Sequence, residues 1–295
     1  MRGATCINSQ LTGGSMKVAI SFGLFVLFLA VVNTAANGDV VRYYRFETNN
    51  GAPVSNGETM TVADDSSGNG LNGTVFGSPT YVTTPFPSPV PQTGATNQYA
   101  MSCGTGNGVL LSGATVPILA PTFTVEAYFD ITSINPNTGD TKAILRVGAG
   151  GTDANPFSLE LLNAQGENGN GTNDLLMEMS NDGLELYDFD LLSNTNYFVA
   201  ATYDGSIASL YVNGNLVDSS SFTGFTGSGT IDAAIGNDPT GNGAAFQGYL
   251  DEVRISNTVL SASQFLDAVP EPASISILGL GSLALLGRRG RRRVR

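Results

Sequence analysis

The chain has 295 residues, a net charge of −12, no histidine, no tryptophan and two cysteines. Without histidine, Ser–His and Cys–His nucleophiles and any zinc site built on imidazole are excluded. Between Asp39 and Asp267 only Arg42, Arg45, Lys142, Arg146 and Arg254 are basic, against 24 acidic residues, and a body at −19 repels nucleic acid and anionic lipid.

The N-terminal part reads as a targeting segment. Lys17 forms a short basic region, Val18 to Val32 is apolar, and Thr34-Ala35-Ala36 supplies small residues for cleavage after Ala36. Translation from Met16 is the simplest account of the residues before it, and a long n-region starting at Met1 is the alternative. Residues 1–36 are therefore set apart as upstream extension and secretory signal peptide. Cys103 is then the lone cysteine of the mature body, so no internal disulfide is expected.

Residues 39–267 read as one domain. Val40–Glu47 is the first expected strand. The polar run Asp64-Asp-Ser-Ser-Gly-Asn-Gly70 favours turns through local side-chain bonds. Leu71–Phe76 follows as a short strand. Pro79 to Pro91 holds five prolines and reads as an extended surface connection. Gln98–Ser102 and Val109–Ser112 are short strands. Thr122–Ile131 alternates, with Phe123, Val125, Ala127 and Phe129 on one face and Thr124, Glu126, Tyr128 and Asp130 on the other. Ala143–Val147, Phe157–Leu162, Leu175–Met179 and Leu184–Phe189 continue the series. Tyr197–Tyr203, Ser206–Val212 and Asn215–Asp218 are joined by Asp204-Gly205 and Asn213-Gly214, both expected as type I′ hairpin turns. Thr230–Ile235 and Phe246–Ile255 close the series, and Ser261 is placed to cap one helical turn through Leu266. Many short strands with Gly, Asn and Asp turns argue for an all-β sandwich of two antiparallel sheets.

Several runs carry a resemblance in one order: Tyr43-Tyr-Arg-Phe46, Asp65 to Gly73, Phe123 to Ala127, Val199 to Gly214, and Gly248 to Ile255 followed by Leu260-Ser261. They resemble laminin-G-like, concanavalin A-like lectin/glucanase domains. The resemblance implies a jelly-roll sandwich and carbohydrate binding. The family often has tryptophan where this chain has Tyr128 and, near the hairpin start, Asn196 or Tyr197. That departure removes the best stacking surface for a sugar ring. Members of the fold often carry calcium. Ca²⁺ takes six to eight oxygens, and the expected ligands are Asp64, Asp65 and Asn69, with Asp251 or Glu252 approaching from the last strand. Asn237 with Asp238 is a second and weaker cluster. Tyr81, Phe86, Phe222 and Phe225 are candidates for a sugar platform, against the ordinary role of aromatics in a core.

Related retaining glucanases use two carboxylates on one strand, which hydrolysis needs at about 5–5.5 Å. Glu126 and Asp130 share a face but lie four apart, and Glu185, Asp188 and Asp190 do not reproduce the Glu-x-Asp-x-Glu spacing. Solvated acids on strand faces are the expected account, and no catalytic residue is assigned.

Residues 269–295 form a separate segment. Val269-Pro270-Glu271-Pro272 precedes an apolar run from Ala273 to Leu286 and an arginine cluster from Arg288 to Arg295. An apolar helix ending in arginines keeps that end cytoplasmic, and this run is short of the ~20 residues of a stable span. The order resembles the PEP-CTERM sorting signal, which implies transient membrane insertion and a membrane transpeptidase of the exosortase type as partner. The expected protein is exported to the cell surface or extracellular matrix. It has a non-catalytic lectin-like domain for an extracellular polysaccharide or surface glycan, with calcium as the candidate cofactor. A structural matrix protein without a specific ligand is the alternative, and a glycoside hydrolase the third.

Overall fold

The structure, a computed structural model, describes residues 39–132, 141–148, 156–162, 173–180, 183–225, 227, 229–241 and 243–270. All belong to one of the two units into which the chain divides, residues 35–295. Residues 1–36, expected as upstream extension and signal peptide, and Glu271, Pro272, the apolar run and the arginine cluster lie outside the described residues.

The first strands in chain order are β1 (Val40–Tyr44), β2 (Thr48–Asn49), β3 (Ala52–Pro53), β4 (Val62–Ala63), β5 (Gly73–Phe76), β6 (Thr80–Thr83), β7 (Tyr99–Cys103), β8 (Gly108–Leu111) and β9 (Phe123–Ile131). Then come β10 (Lys142–Val147), β11 (Phe157–Leu162), β12 (Asn173–Met179), β13 (Leu184–Leu191), β14 (Tyr197–Tyr203), β15 (Ile207–Val212), β16 (Asn215–Ser221), β17 (Ala233–Ile235) and β18 (Gly248–Ser256). One sheet runs β16-β15-β14-β9-β18-β7-β6, with β1 also on β18, and the second runs β13-β12-β11-β10-β17-β8-β5-β4. The neighbours pair antiparallel.

Alternation decides what each face meets. On β9, Phe123, Val125, Ala127, Phe129 and Ile131 join the core between the sheets, with Leu145, Leu159 and Met177 from the second sheet. Full burial of each large apolar side chain contributes about 1.5–3 kcal/mol. The other face of β9 is buried as well. Tyr128 packs with Phe86, Val90, Phe198, Leu260, Phe265 and Leu266 in a second apolar cluster. The 84–98 connection and the segment after β18 therefore cover the outer face of the first sheet. Gln92 N–H donates to the Leu266 carbonyl at 3.1 Å and closes the two covering segments on each other.

Strand β18 organises the first sheet. One edge follows β9 throughout, while the other pairs β7 at Gly248–Leu250 and β1 from Val253 onward. The register slips between Asp251 and Arg254, where Glu252 adopts φ +50°. One extra residue bends a bulged strand away from regular pairing. The bulge falls where β18 changes neighbours from β7 to β1.

Three local expectations change. The proline-rich connection contains β6, which pairs with β7 at Tyr81↔Met101. Pro79 and Pro85 flank the residues paired with β7, so neither proline removes a bond of that ladder. Asn213 and Gly214 have φ +49° and +73°, as the type I′ turn requires. Asp204 is not left-handed. Its carboxylate instead accepts from Ser206 N–H at 2.7 Å, Ser206 O–H at 2.8 Å and Ile207 N–H at 2.6 Å, and its own N–H donates to the Ile207 carbonyl. The first hairpin thus turns through an Asp-organised loop, and β15 starts one residue late. The turn after Ser261 is a 3₁₀ helix, Ala262–Gln264, in which Gln264 Oε1 accepts the Ser261 N–H at 3.0 Å.

Candidate functional site

The Asp64–Gly70 loop is held by its own side chains. Asp65 Oδ1 accepts from Tyr43 N–H at 3.0 Å and Ser67 N–H at 2.9 Å, while Oδ2 accepts from Ser67 O–H at 2.8 Å and Leu71 N–H at 2.9 Å. Those four bonds use the carboxylate's lone-pair sites. Asp64 Oδ2 accepts from Thr48 O–H at 2.6 Å and Gly51 N–H at 2.7 Å. Asn69 turns its amide N–H toward the Val40 and Val41 carbonyls. Asp251 does not face this loop's partners. Its Oδ2 accepts from Thr84 O–H and Asn97 N–H, both at 2.9 Å, and its Oδ1 from Glu252 N–H at 2.8 Å. Asp65 and Asp251 thus spend both of their carboxylate oxygens on N–H and O–H donors of the protein, whereas Asp64 Oδ1 has only the Asn72 amide at 3.5 Å. Among the described residues no group of three or more His, Cys, Asp or Glu is set to hold a metal. Asp238 likewise spends Oδ1 on Thr240 N–H and O–H, and Asn237 donates to the Asn107 carbonyl.

The acids on the outer face of β9 are not solvated. Glu126 is fully buried, and its Oε2 accepts from Arg254 Nε at 2.6 Å while Oε1 accepts from Leu266 N–H at 2.9 Å. Arg254 Nη2 donates to the Gln264 carbonyl at 3.0 Å. Burial pushes the Glu126 carboxyl up, and Arg254 opposes that shift. Asp130 is also buried and pushed up by desolvation, and its Oδ1 has no hydrogen-bond partner. The expectation of exposed acids fails here because the 84–98 and 257–268 segments close over a face that a lone strand would leave wet. Glu185 does stay exposed and accepts from Tyr187 O–H at 2.7 Å, while Asp188 sits opposite Leu175. The Asp190 side chain lies outside the described residues.

A second acid network sits at the β18 bulge. Glu252 Oε1 accepts from Arg45 Nε at 3.0 Å, and Oε2 accepts from the Tyr43 hydroxyl. Arg45 also donates to the Thr96 carbonyl at 2.6 Å. Burial pushes Glu252 up to about 7 against the opposing charge of Arg45. Asp251, fully buried beside Glu252, is also pushed up, by desolvation and then by its neighbour's charge. Both acids therefore act as structural ties between β18, β1 and the 84–98 connection.

On the outer face of the second sheet, Arg146 pairs with Glu160, and Ser158 O–H donates to Glu178 Oε2 at 3.1 Å. Ser158 and Glu160 are buried, and burial pushes the Glu160 carboxyl up. Sequence reasoning missed this cluster. Alternation in Phe157–Leu162 separates Ser158 and Glu160 from the core residues, but only the register Arg146↔Ser158↔Glu178 brings the three strands' side chains together.

The candidate aromatic platform dissolves into packing. Tyr81 is fully buried, and its hydroxyl donates to the Thr48 carbonyl at 2.8 Å. Phe86 stacks near Tyr128 with ring centroids 5.7 Å apart, and Phe222 and Phe225 pack against Tyr203. Tyr128, Asn196 and Tyr197 meet instead at one cavity of about 200 Å³ on the outer side of the first sheet. Pro87, Pro91, Phe198, Asn213 and Asp267 complete its lining. Tyr128 is 4% exposed, and its buried hydroxyl has no hydrogen-bond partner. Asp267 Oδ1 is buried and unpartnered too. A Cβ on Gly214 would lie 3.2 Å from Asp267 Oδ2, so the hairpin turn packs closely under this carboxylate. Desolvation, followed by the charge of Glu126, pushes Asp267 up to about 6.

No curated protein matches the chain. Among solved structures, domain 4 of AbnA, a GH43 extracellular arabinanase from Geobacillus stearothermophilus, in complex with arabinotriose, superposes with a TM-score of 0.52 at 20% identity. The match covers 79% of this chain and 98% of that one. Trypanosoma rangeli sialidase, in complex with 2,3-difluorosialic acid, matches with a TM-score of 0.50 at 16% identity, over 78% of this chain and 33% of the sialidase. At these identities the likeness concerns the fold. Residues 268–293 match the PEP-CTERM protein-sorting motif. Residues 103–265, more than half of the sequence and including β9, the paired hairpins and β18, match the concanavalin A-like lectin/glucanases superfamily, and the chain belongs to that superfamily.

Proposed function

We propose that this is an exported protein, sorted to the cell surface or extracellular matrix, whose β-sandwich recognises a glycan without hydrolysing it. The observation that carries this reading is the junction near residue 268, where a lectin-type sandwich passes directly into a sorting motif. A domain delivered to the cell surface would meet the saccharides of surface and matrix polysaccharides. The arabinanase domain of similar fold, solved with arabinotriose, supports the same class. The non-catalytic part of the proposal rests on the acids themselves. Glu126 and Glu160 are tied up in buried ion pairs with Arg254 and Arg146, which suits support of the fold better than attack on a glycosidic bond. During sorting, the partner would be an exosortase-type transpeptidase.

A glycan array probed with the full chain, with and without EDTA, tests the proposal. Retention of at least one saccharide in both conditions is expected. No retention in either would favour the structural matrix protein. Release of reducing sugar from a retained glycan would favour the hydrolase.

A further inference from the structure

Two polar atoms stand out in the outer-face cavity. Burying a hydroxyl or a carboxylate oxygen without a partner costs about 1–3 kcal/mol, more for a charge. Most buried polar atoms therefore have partners, and each exception calls for an explanation. Here two exceptions, Tyr128 Oη and Asp267 Oδ1, belong to residues lining the same cavity. They come from distant parts of the chain, the middle of β9 and the turn that ends the domain. Asp267 contributes the largest charge effect on the Tyr128 hydroxyl after burial itself.

We infer that this cavity is a binding site for one uncharged saccharide ring, held by the Tyr128 hydroxyl and the Asp267 carboxylate. The inference rests on the glycan reading above and specifies where and what kind. Volume sets the size of the occupant. Ligand sites for drug-sized molecules span about 300–1,000 Å³, and 200 Å³ suits a single ring. The lining sets the chemistry. Pro87 and Pro91 present apolar surface to the C–H face of a sugar. Asn196 and Asn213 are exposed and also line the cavity, with Asn196 Nδ2 donating to the Pro85 carbonyl at 2.7 Å and Asn213 Oδ1 accepting from Phe198 N–H at 2.9 Å. A carboxylate oxygen accepts from a sugar hydroxyl, and a phenol can both donate and accept. Adjacent hydroxyls on one ring can engage both at once.

Charge sets the selectivity. Among the described residues, the cavity lining holds Asp267 and no Lys or Arg. The acidic groups acting on Tyr128 are Asp267, Glu252, Glu126 and Asp251. The nearby cations Arg254 and Arg45 are already paired with Glu126 and Glu252. A uronic acid or sialic acid would bring a carboxylate against this field with no cation to meet it.

The test is saturation-transfer NMR on the full chain with arabinose, galactose and glucose, and with galacturonate and glucuronate. At least one neutral sugar should give a saturable signal in the millimolar range. Tyr128→Phe and Asp267→Asn should each weaken it by about tenfold or more, the loss expected for a hydrogen bond involving a charged acceptor or a buried hydroxyl. Tyr128→Phe removes only a hydroxyl without a protein partner, so its melting temperature should stay at the parent value, which separates site loss from misfolding. Failure of every neutral sugar, unchanged binding in both variants, or equal binding of the uronates would overturn the site. The array distinguishes the two levels. Variants that still retain the array glycan would move the site elsewhere and leave the glycan reading standing, whereas an array with no retained glycan overturns both.

Discussion

Removing the Glu126 carboxylate should destabilise the domain rather than silence an enzyme. Glu126 is fully buried, and the Arg254 side chain is 2% exposed. In Glu126→Ala, the Arg254 guanidinium keeps its bond to the Gln264 carbonyl but loses its ion-pair partner at 2.6 Å, and the Leu266 N–H loses its acceptor. Breaking a buried pair from one side costs about 3–5 kcal/mol, because an uncompensated charge stays inside. For a domain of this size each kcal/mol moves the melting temperature by about 2–4 °C, so a fall of roughly 6–20 °C is expected. Thermal and urea melts of the full chain measure it. The 257–268 segment should also lose hydrogen-exchange protection, since Leu266 N–H and the Gln264 carbonyl are its direct ties to this pair. The double replacement Glu126→Leu with Arg254→Met should recover most of the loss, because apolar residues of similar volume replace buried pairs at little cost. A loss below about 1 kcal/mol in Glu126→Ala, the scale of an exposed pair, would refute the buried-tie argument. So would a double variant as unstable as the single one.

Three further outcomes are expected. Glu252 has a folded-state pKa of about 7, above the ordinary carboxyl value, so its contribution is fully present below about pH 4.5 and is lost as pH rises through 7. The shift corresponds to about 3 kcal/mol at most; the melting temperature should fall between pH 5 and 8, and Glu252→Gln should flatten that slope, with an unchanged slope counting against the assignment. Calcium should not raise the melting temperature more than magnesium does, because Asp65 and Asp251 already spend their oxygens on protein donors; a calcium-specific rise lost in Asp64→Ala with Asp65→Ala would overturn this. Protein recovered from the host surface should lack Arg288–Arg295, and intact mass that includes them would contradict sorting at the PEP-CTERM motif.

Local rules carried much of the fold. Alternation placed the inner and outer faces of β9 correctly, and Phe157–Leu162 and Tyr197–Tyr203 matched their strands to the residue. Asn213-Gly214 announced its turn because only residues tolerant of positive φ fit both central positions. The sorting motif was legible because its parts follow one another along the chain. What sequence could not decide were properties that depend on a second segment arriving from far away. Glu126 reads as a wet strand-face acid until residues 84–98 and 257–268 fold over it and Arg254, 128 positions on, meets it. Asp65 and Asp251 read as one ion's ligands until each finds separate N–H and O–H donors. Tyr128 and Asp267 show no relation in sequence, since neither spacing nor period links a strand centre to a domain's last turn. Only the packing of that turn over the Asn213-Gly214 hairpin brings their unpartnered oxygens to one cavity. Backbone geometry is settled by neighbours a few residues apart, whereas desolvation and charge pairing depend on what covers a side chain, and that is fixed by the tertiary fold.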